Sequence, residues 1–481
     1  MVENISGKGQ VLDGNIFIFP VGEKLTASDL NGFINKNQEL TKGYQKNRKM
    51  YVGNHDVLHQ ASRDHGPDNR LVANLPHYIV DTYNGFFLGI PPKITLDNKG
   101  DNDKLQQWND TNSLQDKLNE ISKQADIYGR SLAFVYQDES SQTKIAYTSP
   151  DTAFMIYDNT VARNPLAFVR YWVDSQNVLN GMVYYADEVQ SFSGNAFKDS
   201  ETNPFKMVPA VEFYDNEERQ GLFDNVKTLV NALDRVLSQK ANQVEYFDNA
   251  YLKILGVNLD QDGDGLPDAD LIGNQMIYSP DADATNATVD FISKPDGDAM
   301  QEHMIDRLVS MIYQISMVAN LNDEAFAGNS SGVALKYKLL PMQNMAANKE
   351  RKFTEALRSL YRIIFSVGTI LSEQQSEAWQ GLNFQFKRNL PANLADEAQT
   401  ASTLMTVTSH ETALSTLSCV DDPKAELQRI QEEKNQQQEQ AIKNQTSALD
   451  MVKDDDNGNR VLEEESATRT GVDQSESEER R

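Results

Sequence analysis

The sequence predicts an α+β protein in which a mixed N-terminal region gives way to long helices. Three observations predict it. Runs rich in β-branched and aromatic residues cluster at 131–137, 153–157, 165–173, 181–186 and 207–214, separated by turn formers. From Asn216 the apolar spacing switches to that of helices and holds for long distances. Finally, a small, polar, glycine-containing stretch from Asn322 to Gly332 opens a further helical run with a proline, Pro341, inside it.

Composition sets the outer bounds. The 481 residues allow several domains with sizeable cores. The single cysteine, Cys419, rules out an intramolecular disulfide framework and suits a reducing compartment. The first ten residues, MVENISGKGQ, lack the apolar core of a signal peptide, and no apolar run approaches the ~20 residues of a spanning helix. The product is therefore expected to stay in the cell that makes it, or in a particle assembled there. A formal charge of −26 argues against gripping DNA by bulk electrostatics, because phosphate binding needs lysine and arginine. Two readings of that charge stay open: plain solubility, and a surface along which DNA passes without being held.

In chain order, a first helix begins near Ser28 or Asp29 and runs to about Met50. Asn74 caps a second, with Ile79, Val80, Tyr83, Phe86 and Phe87 on its apolar side, and Pro91-Pro92 stops it. Ser113 with Asp116 resembles a capping box for a helix carrying Leu114, Leu118, Ile121 and Ala125, which Gly129 ends. The strand-like runs follow. A long helix is then predicted over 222–255, with Leu222, Val226, Leu229, Val230, Leu233, Val236, Leu237, Val244, Phe247 and Ile254 on one face. Asn225, Asn231, Asp234, Gln239, Asn242, Glu245 and Asp248 form a polar face to spare. Such a helix would span roughly 50 Å.

A second helix covers 299–319, striped by Met300, Met304, Leu308, Met311, Ile312, Ile315 and Val318. The connector between these helices, 256–297, is too long for a hairpin turn. It holds nine acidic residues, one lysine (Lys294) and two strand candidates, Gln275–Tyr278 and Val289–Ile292. Ser330 or Ser331 then caps a third long helix, with Val333, Leu335, Leu339, Leu340, Met342, Met345, Ala346, Phe353, Leu357, Leu360, Tyr361 and Ile364 at helical spacing. Pro341 lacks an N–H and should kink it, at a cost of roughly 3 kcal/mol. A strand at 382–388 leads into Asn389-Leu390-Pro391. Short helices follow at Leu394–Val407, His410–Leu417 and Pro423–Gln440. From about Ala441 the chain is acidic and poor in apolar residues, and disorder is expected.

The chemical motifs are mostly blunt. Gly328-Asn329-Ser330-Ser331-Gly332 matches a nucleophile elbow in letters, but helix and loop precede it where a buried strand is needed. His55 and His59 are four apart, yet Asp56 stands where a zincin has Glu, and Gly53-Asn54 interrupts the helix. No P-loop is present, so ATP hydrolysis is not expected. Lys349-Glu350-Arg351-Lys352 reads as a solvated helix face. The loop of Asp260, Asp262, Asp264 and Asp268 differs. Its carboxylates occupy positions 1, 3, 5 and 9 of a cation loop with Gly265 at position 6, and Leu266 can add its carbonyl. Leu271 replaces the bidentate Glu of an EF-hand, so a weak calcium site and a bare acidic turn both remain open. No cofactor is otherwise required.

The loop-then-helix passage carries a resemblance. Ser331-Gly332-Val333-Ala334-Leu335-Lys336, behind a polar loop and ahead of a proline-interrupted helix, resembles the portal proteins of tailed double-stranded-DNA bacteriophages of the siphovirus type. In that family a tunnel loop precedes a long kinked helix with a similar start. Tyr83–Gly89 before Pro91-Pro92, Gly129-Arg130 before a strand, and the strand followed by Asn389-Leu390-Pro391 and helices are similar in pattern. The resemblance covers about 20–440.

It implies the phage-portal fold: an α/β wing (1–215), a stem helix (216–255), a small α/β clip (256–297) and a second stem helix (298–319). A tunnel loop (320–331), a long kinked helix with a wing strand (332–394), a helical crown (395–440) and a disordered acidic tail (441–481) would follow. Function by resemblance is that of a ring of twelve at one capsid vertex, assembled in the host cytoplasm, through which the genome is packaged and ejected. Its partners would be double-stranded DNA, the terminase motor, major capsid and scaffolding proteins and a head–tail adaptor, with no membrane and no covalent chemistry. Asn320, Asn322, Asp323, Glu324, Phe326, Asn329 and Ser330 would face the channel. There the Asn and Ser side chains would bond phosphates weakly, while Asp323 and Glu324 repel them. The competing readings are a non-viral acidic helical scaffold that self-assembles without DNA, and an enzyme; particle size separates them.

Overall fold

A computed structural model describes residues 2–5, 7–63, 66–194, 196–248, 251–256, 276–279, 288–292, 298–322, 332–389, 394–417, 419–420 and 423–458. The chain divides into two compact units, Met1–Asn389 and Leu390–Arg481. The mixed helix and strand content agrees with the predicted α+β class.

In the first unit, short strands β1 (Glu3–Asn4), β2 (Gln10–Leu12) and β3 (Ile16–Phe19) lead into helix α1 (Ala27–Tyr51). Thr26 and Asp29 form a reciprocal capping box there, so the helix starts slightly before the predicted Ser28 or Asp29. Helix α2 (Leu75–Leu88) is capped by Asn74, whose side chain accepts from the His77 N–H, as expected. Strand β4 (Lys93–Thr95) and helix α3 (Lys99–Thr111) follow; neither is legible from the sequence pattern. Helix α4 (Leu114–Tyr128) ends at Gly129 as predicted. Its expected capping box is absent: Ser113 sits in the left-handed region at φ 48° and makes no side-chain cap bond. The Asn112–Ser113 corner turns too tightly out of α3 for the extended backbone that an N-cap needs.

Eight strands complete the region up to residue 214, the part expected to form the wing: β5 (Arg130–Gln137), β6 (Thr143–Thr148), β7 (Ala153–Asp158), β8 (Pro165–Val173), β9 (Leu179–Tyr184), β10 (Glu188–Ser193), β11 (Ala196–Thr202) and β12 (Ala210–Tyr214). The larger sheet has the order β1-β2-β3-β7-β8-β9-β10-β11 and the smaller β12-β5-β6. Alternation along β7 builds two cores. Phe154 and Ile156 point to α1, where they meet Phe17, Phe33 and Ile34, with the Phe17 and Phe154 ring centroids 5.0 Å apart. Ala153 and Met155 point the other way, into a cluster with Leu132, Phe168, Val208 and Ala210 under the smaller sheet.

Past the wing, a 3₁₀ turn at Asp224–Val226 opens helix α5 (Lys227–Asp248). This helix is shorter than predicted. Tyr251–Leu255, read as its last turn, is instead strand β13, which pairs in parallel with β14 (Met276–Ser279) and antiparallel with β15 (Thr288–Ile292). A run with backbone partners on both sides gains more from a ladder than from a frayed helix end, so pairing overrode the accidental helical spacing of Phe247 and Ile254. At 1.5 Å per residue α5 spans roughly 33 Å, not 50. The two strand candidates in the connector are both strands. Helix α6 (Asp298–Ser316) and the 34-residue helix α7 (Gly332–Phe365) follow, the latter unbroken through Pro341. A 3₁₀ segment, Glu373–Gly381, and strand β16 (Asn383–Gln385), paired with β4, finish the unit.

The second unit holds α8 (Leu394–Leu404), α9 (His410–Leu414) and α10 (Pro423–Gly458). The backbone of α10 is helical well past Ala441, where disorder was expected. Gln, Glu, Lys and Ala are strong helix formers, and low apolar content does not prevent a helix. Residues 459–481 lie outside the described residues.

Candidate functional site

The long helices expected to carry function are held to the N-terminal region, the expected wing, by three devices. The first ends α6. Met317 takes the left-handed conformation at φ 58° and turns the chain out of the helix. Tyr78 of α2 then pins the outgoing chain: its hydroxyl accepts from the Leu321 N–H at 2.9 Å and donates to the Ala319 carbonyl at 3.4 Å, and its ring meets Tyr313 edge-on at 5.7 Å. Asn320 folds back to accept from the Asn322 N–H. The first residues of the predicted tunnel loop, Asn320 and Asn322, are thus placed by a wing helix. The remainder, Asp323, Glu324, Phe326, Asn329 and Ser330, lies outside the described residues, as does the N-cap at Ser330 or Ser331.

The second device corrects the reading of α5. Its polar face is not to spare. Asp234, Ser238 and Asn242, one helical turn apart, each accept a backbone N–H from an extended segment that lies along the helix. Asp234 takes Ala73 (2.8 Å), Ser238 takes Leu71 (2.9 Å) and Asn242 takes Asn69 (2.5 Å). The match is metric: two residues of extended chain rise about 6.6 Å and four residues of helix about 6.0 Å, so alternate amides meet successive turns. Glu245 and Asn231 extend the ladder to the Asn69 side chain and Asp56. His55 is fully buried beneath it. Its Nδ1 lies 2.6 Å from the Asp234 carboxylate and its Nε2 2.9 Å from the Met50 carbonyl. Both neighbours offer acceptor oxygens, an arrangement that favours a proton on each ring nitrogen. Burial alone would lower the pKa of His55; the Asp234 hydrogen bond and charge outweigh it and raise it above the ordinary 6.5. His55 is thus a structural ion-pair partner, consistent with the sequence argument against a zinc site.

The third device corrects the reading of α7. Lys349 is not on a solvated face: it is 1 % exposed. Its ammonium lies 2.8 Å from Asp126 at the end of α4 and 3.2 Å from Asp215 just after β12, over the rings of Tyr83 and Phe87. Next to it, Phe353 packs against Phe87 and Phe213. Burial raises the Asp126 carboxyl well above the usual carboxylate range; Lys349 opposes that and Asp215 adds to it. The sequence signal missed here was position. Lys349 falls in register with Met342, Ala346 and Phe353, on the face that the helix buries.

What one copy leaves open is as informative. Leu308 and Ile312 of α6 are buried, whereas Met300, Met304, Met311 and Ile315 are exposed. At 100° per residue those four form one stripe, roughly a quarter-turn from the buried pair. Leu340 and Tyr337 of α7 are also exposed, although Leu340 was expected in the buried stripe. Pro341 is exposed beside them. Helices α5 and α6 pack together, joined by a Lys240–Glu302 ion pair. The Asp260, Asp262, Asp264, Leu266 and Asp268 loop lies outside the described residues. No helix among the described residues is long and apolar enough to cross a membrane.

The described long helices are thus tied to the N-terminal helices and strands, and apolar stripes are left uncovered within one copy. Comparison with known proteins gives the family. The family described as phage portal protein, SPP1 Gp6-like, matches residues 31–440. The chain is similar to the portal protein of Bacillus phage SPP1, at 24% identity, over 88% of this chain and 85% of that protein. It is also similar to the portal protein of Clostridium phage phiCD119, at 21% identity, over 74% of this chain and 84% of that one. Neither relative lends support to a non-viral scaffold. Matched over most of its length, this chain belongs to the phage portal protein family and functions as a portal protein.

Proposed function

We propose that copies of this chain close into a ring, twelve in the virion, with α5 and α6 as its stem and α7 running from the channel to the wing, turning at Pro341. The observation that carries this is the exposed stripe of Met300, Met304, Met311 and Ile315 on α6, beside the buried Leu308 and Ile312. Contiguous exposed apolar side chains mark interaction surfaces, and burying each is worth about 1.5–3 kcal/mol. One face of α6 is used within the copy and the adjacent face by the next copy. Such a head-to-tail contact closes into a ring when the rotation permits.

In that ring the 320–331 loop narrows the channel and touches DNA, and a net charge of −26 keeps the DNA mobile. The β13–β15 sheet and its acidic connector form the clip that meets the terminase and the head–tail adaptor, while the wing meets capsid and scaffolding proteins. A calcium ion at Asp260, Asp262, Asp264, the Leu266 carbonyl and Asp268 would order the clip. Calorimetry with and without Asp262→Ala tests that site; absence of calcium heat removes it. For the ring, mass photometry and negative-stain imaging should show large closed particles. Met304→Glu with Ile315→Glu should reduce them to monomers. Rings formed unchanged by that double variant would contradict the assignment of the stripe.

A further inference from the structure

A pocket of about 600 Å³ opens between the strands of the first unit and α7. Its lining reverses the sign of the protein. Five cationic side chains, Arg163, Lys206, Arg219, Lys352 and Arg362, face three carboxylates, Glu212, Glu217 and Glu355. The chain as a whole carries −26. The acids are largely neutralised from within. Glu212 is 5 % exposed at the floor, between Arg130 (3.0 Å) and Arg219 (3.4 Å), and accepts from the Tyr157 hydroxyl at 2.8 Å. Glu217 pairs with Arg219 and Lys352.

The cations left over come from three separate elements. Arg163, in the turn between β7 and β8, and Lys206, in the turn before β12, are exposed and have no carboxylate or hydrogen-bond partner for their side chains among the described residues. Both hold the left-handed conformation, at φ 48° and 54°. Arg362, on α7, is exposed and lies over the Trp379 ring, 5.7 Å from its centroid. Part of the wall is apolar: Ile16, Met155, Val208 and Ile363.

We propose that this pocket docks an acidic, aliphatic peptide segment of a partner protein. Its carboxylates would lie on Arg163, Lys206 and Arg362, and one aliphatic side chain on the apolar wall. Charge complementarity argues for the acid, since guanidinium groups receive carboxylates by paired hydrogen bonds. The apolar wall argues for peptide over a bare oxyanion, which would gain nothing from it. That the cations come from three separate elements suits a ligand that spans them; a single phosphate would want donors converging on one point. The volume suits a few residues. This proposal is independent of the ring and rests on the wing alone.

The test is fluorescence anisotropy with a labelled peptide of alternating glutamate and leucine, against inorganic phosphate and a short DNA duplex of similar charge. Saturable peptide binding that weakens with salt is expected. It should fall at least tenfold in an Arg163→Asn, Lys206→Asn double variant. Asparagine tolerates the left-handed backbone, so this variant should keep the parent's melting curve and particle size. Glu355→Gln, removing a lining carboxylate, should tighten binding. The proposal is overturned if the double variant binds equally well, if phosphate displaces the peptide at matched charge, if DNA is preferred, or if nothing binds.

Discussion

Lys349 offers the sharpest test of how the long helix is held. Replacing it by Met keeps the length and the apolar stem but removes the ammonium from between Asp126 and Asp215. Asp126 is 0 % exposed and the Asp215 side chain 13 %, so neither carboxylate can recover full hydration. Breaking a buried pair by removing one partner typically costs about 3–5 kcal/mol, most of it the isolated charge. The Asp126 carboxyl already stands well above its usual range through burial, with Lys349 opposing. A carboxyl with a raised folded pKa contributes stability at low pH and loses it as pH rises through that value. Without the lysine that opposition is gone, so the deficit should shrink as pH falls and the carboxyl takes up a proton. In urea unfolding the loss of the pair should cost about 3–5 kcal/mol where the carboxyl is ionised. Adding Asp126→Asn should restore most of the loss, because a neutral amide can still bond Asp215. If Lys349→Met matched the parent at pH 8, the buried-pair reasoning would be refuted, and the side chain would be solvated in solution after all.

Three further outcomes follow from the same geometry. Asp234→Ala removes acceptors from both His55 and the Ala73 N–H and should cost about 3 kcal/mol or more, with amide exchange at 69–73 rising ahead of the wing sheet. His55→Gln should cost most at pH 6 and progressively less toward pH 9: the raised folded pKa means that the parent loses this stabilisation as pH climbs through it. Gly129→Ala should be severe. At φ 84° its Cβ would fall 1.9 Å from the Arg219 carbonyl oxygen, so the α4–β5 corner must move; a melting temperature within a degree of the parent would contradict the placement of that corner.

Much of this molecule was legible locally. The Asn74 cap, the Gly129 stop, strands β5, β7, β8, β9 and β12 and the two strands in the acidic connector are all signals a few residues long. Local physics sets them: a left-handed turn, an oxygen near an open amide, a run of β-branched and aromatic side chains; β6, β10 and β11 were not legible in the sequence. The family, too, was readable from the order of segments and the Ser331–Lys336 start.

Partnership was not legible. Tyr251–Leu255 is a strand because β14 and β15 flank it, and β4 because β16 returns to it from nearly 300 residues away. The polar face of α5 looked free because periodicity shows which residues share a face and not what lies on it; an extended segment from 69–73 fills it. Lys349 looked solvated by residue type, yet two carboxylates distant in sequence make its burial tolerable. Conversely, one copy leaves Met300, Met304, Met311 and Ile315 of the α6 stripe uncovered while burying Leu308 and Ile312, a split that periodicity alone does not show. The sequence by itself determined where elements begin, end and turn, and to which family the chain points. Tertiary structure alone decided which face meets what, because side-chain burial and charge pairing depend on neighbours that no local pattern encodes.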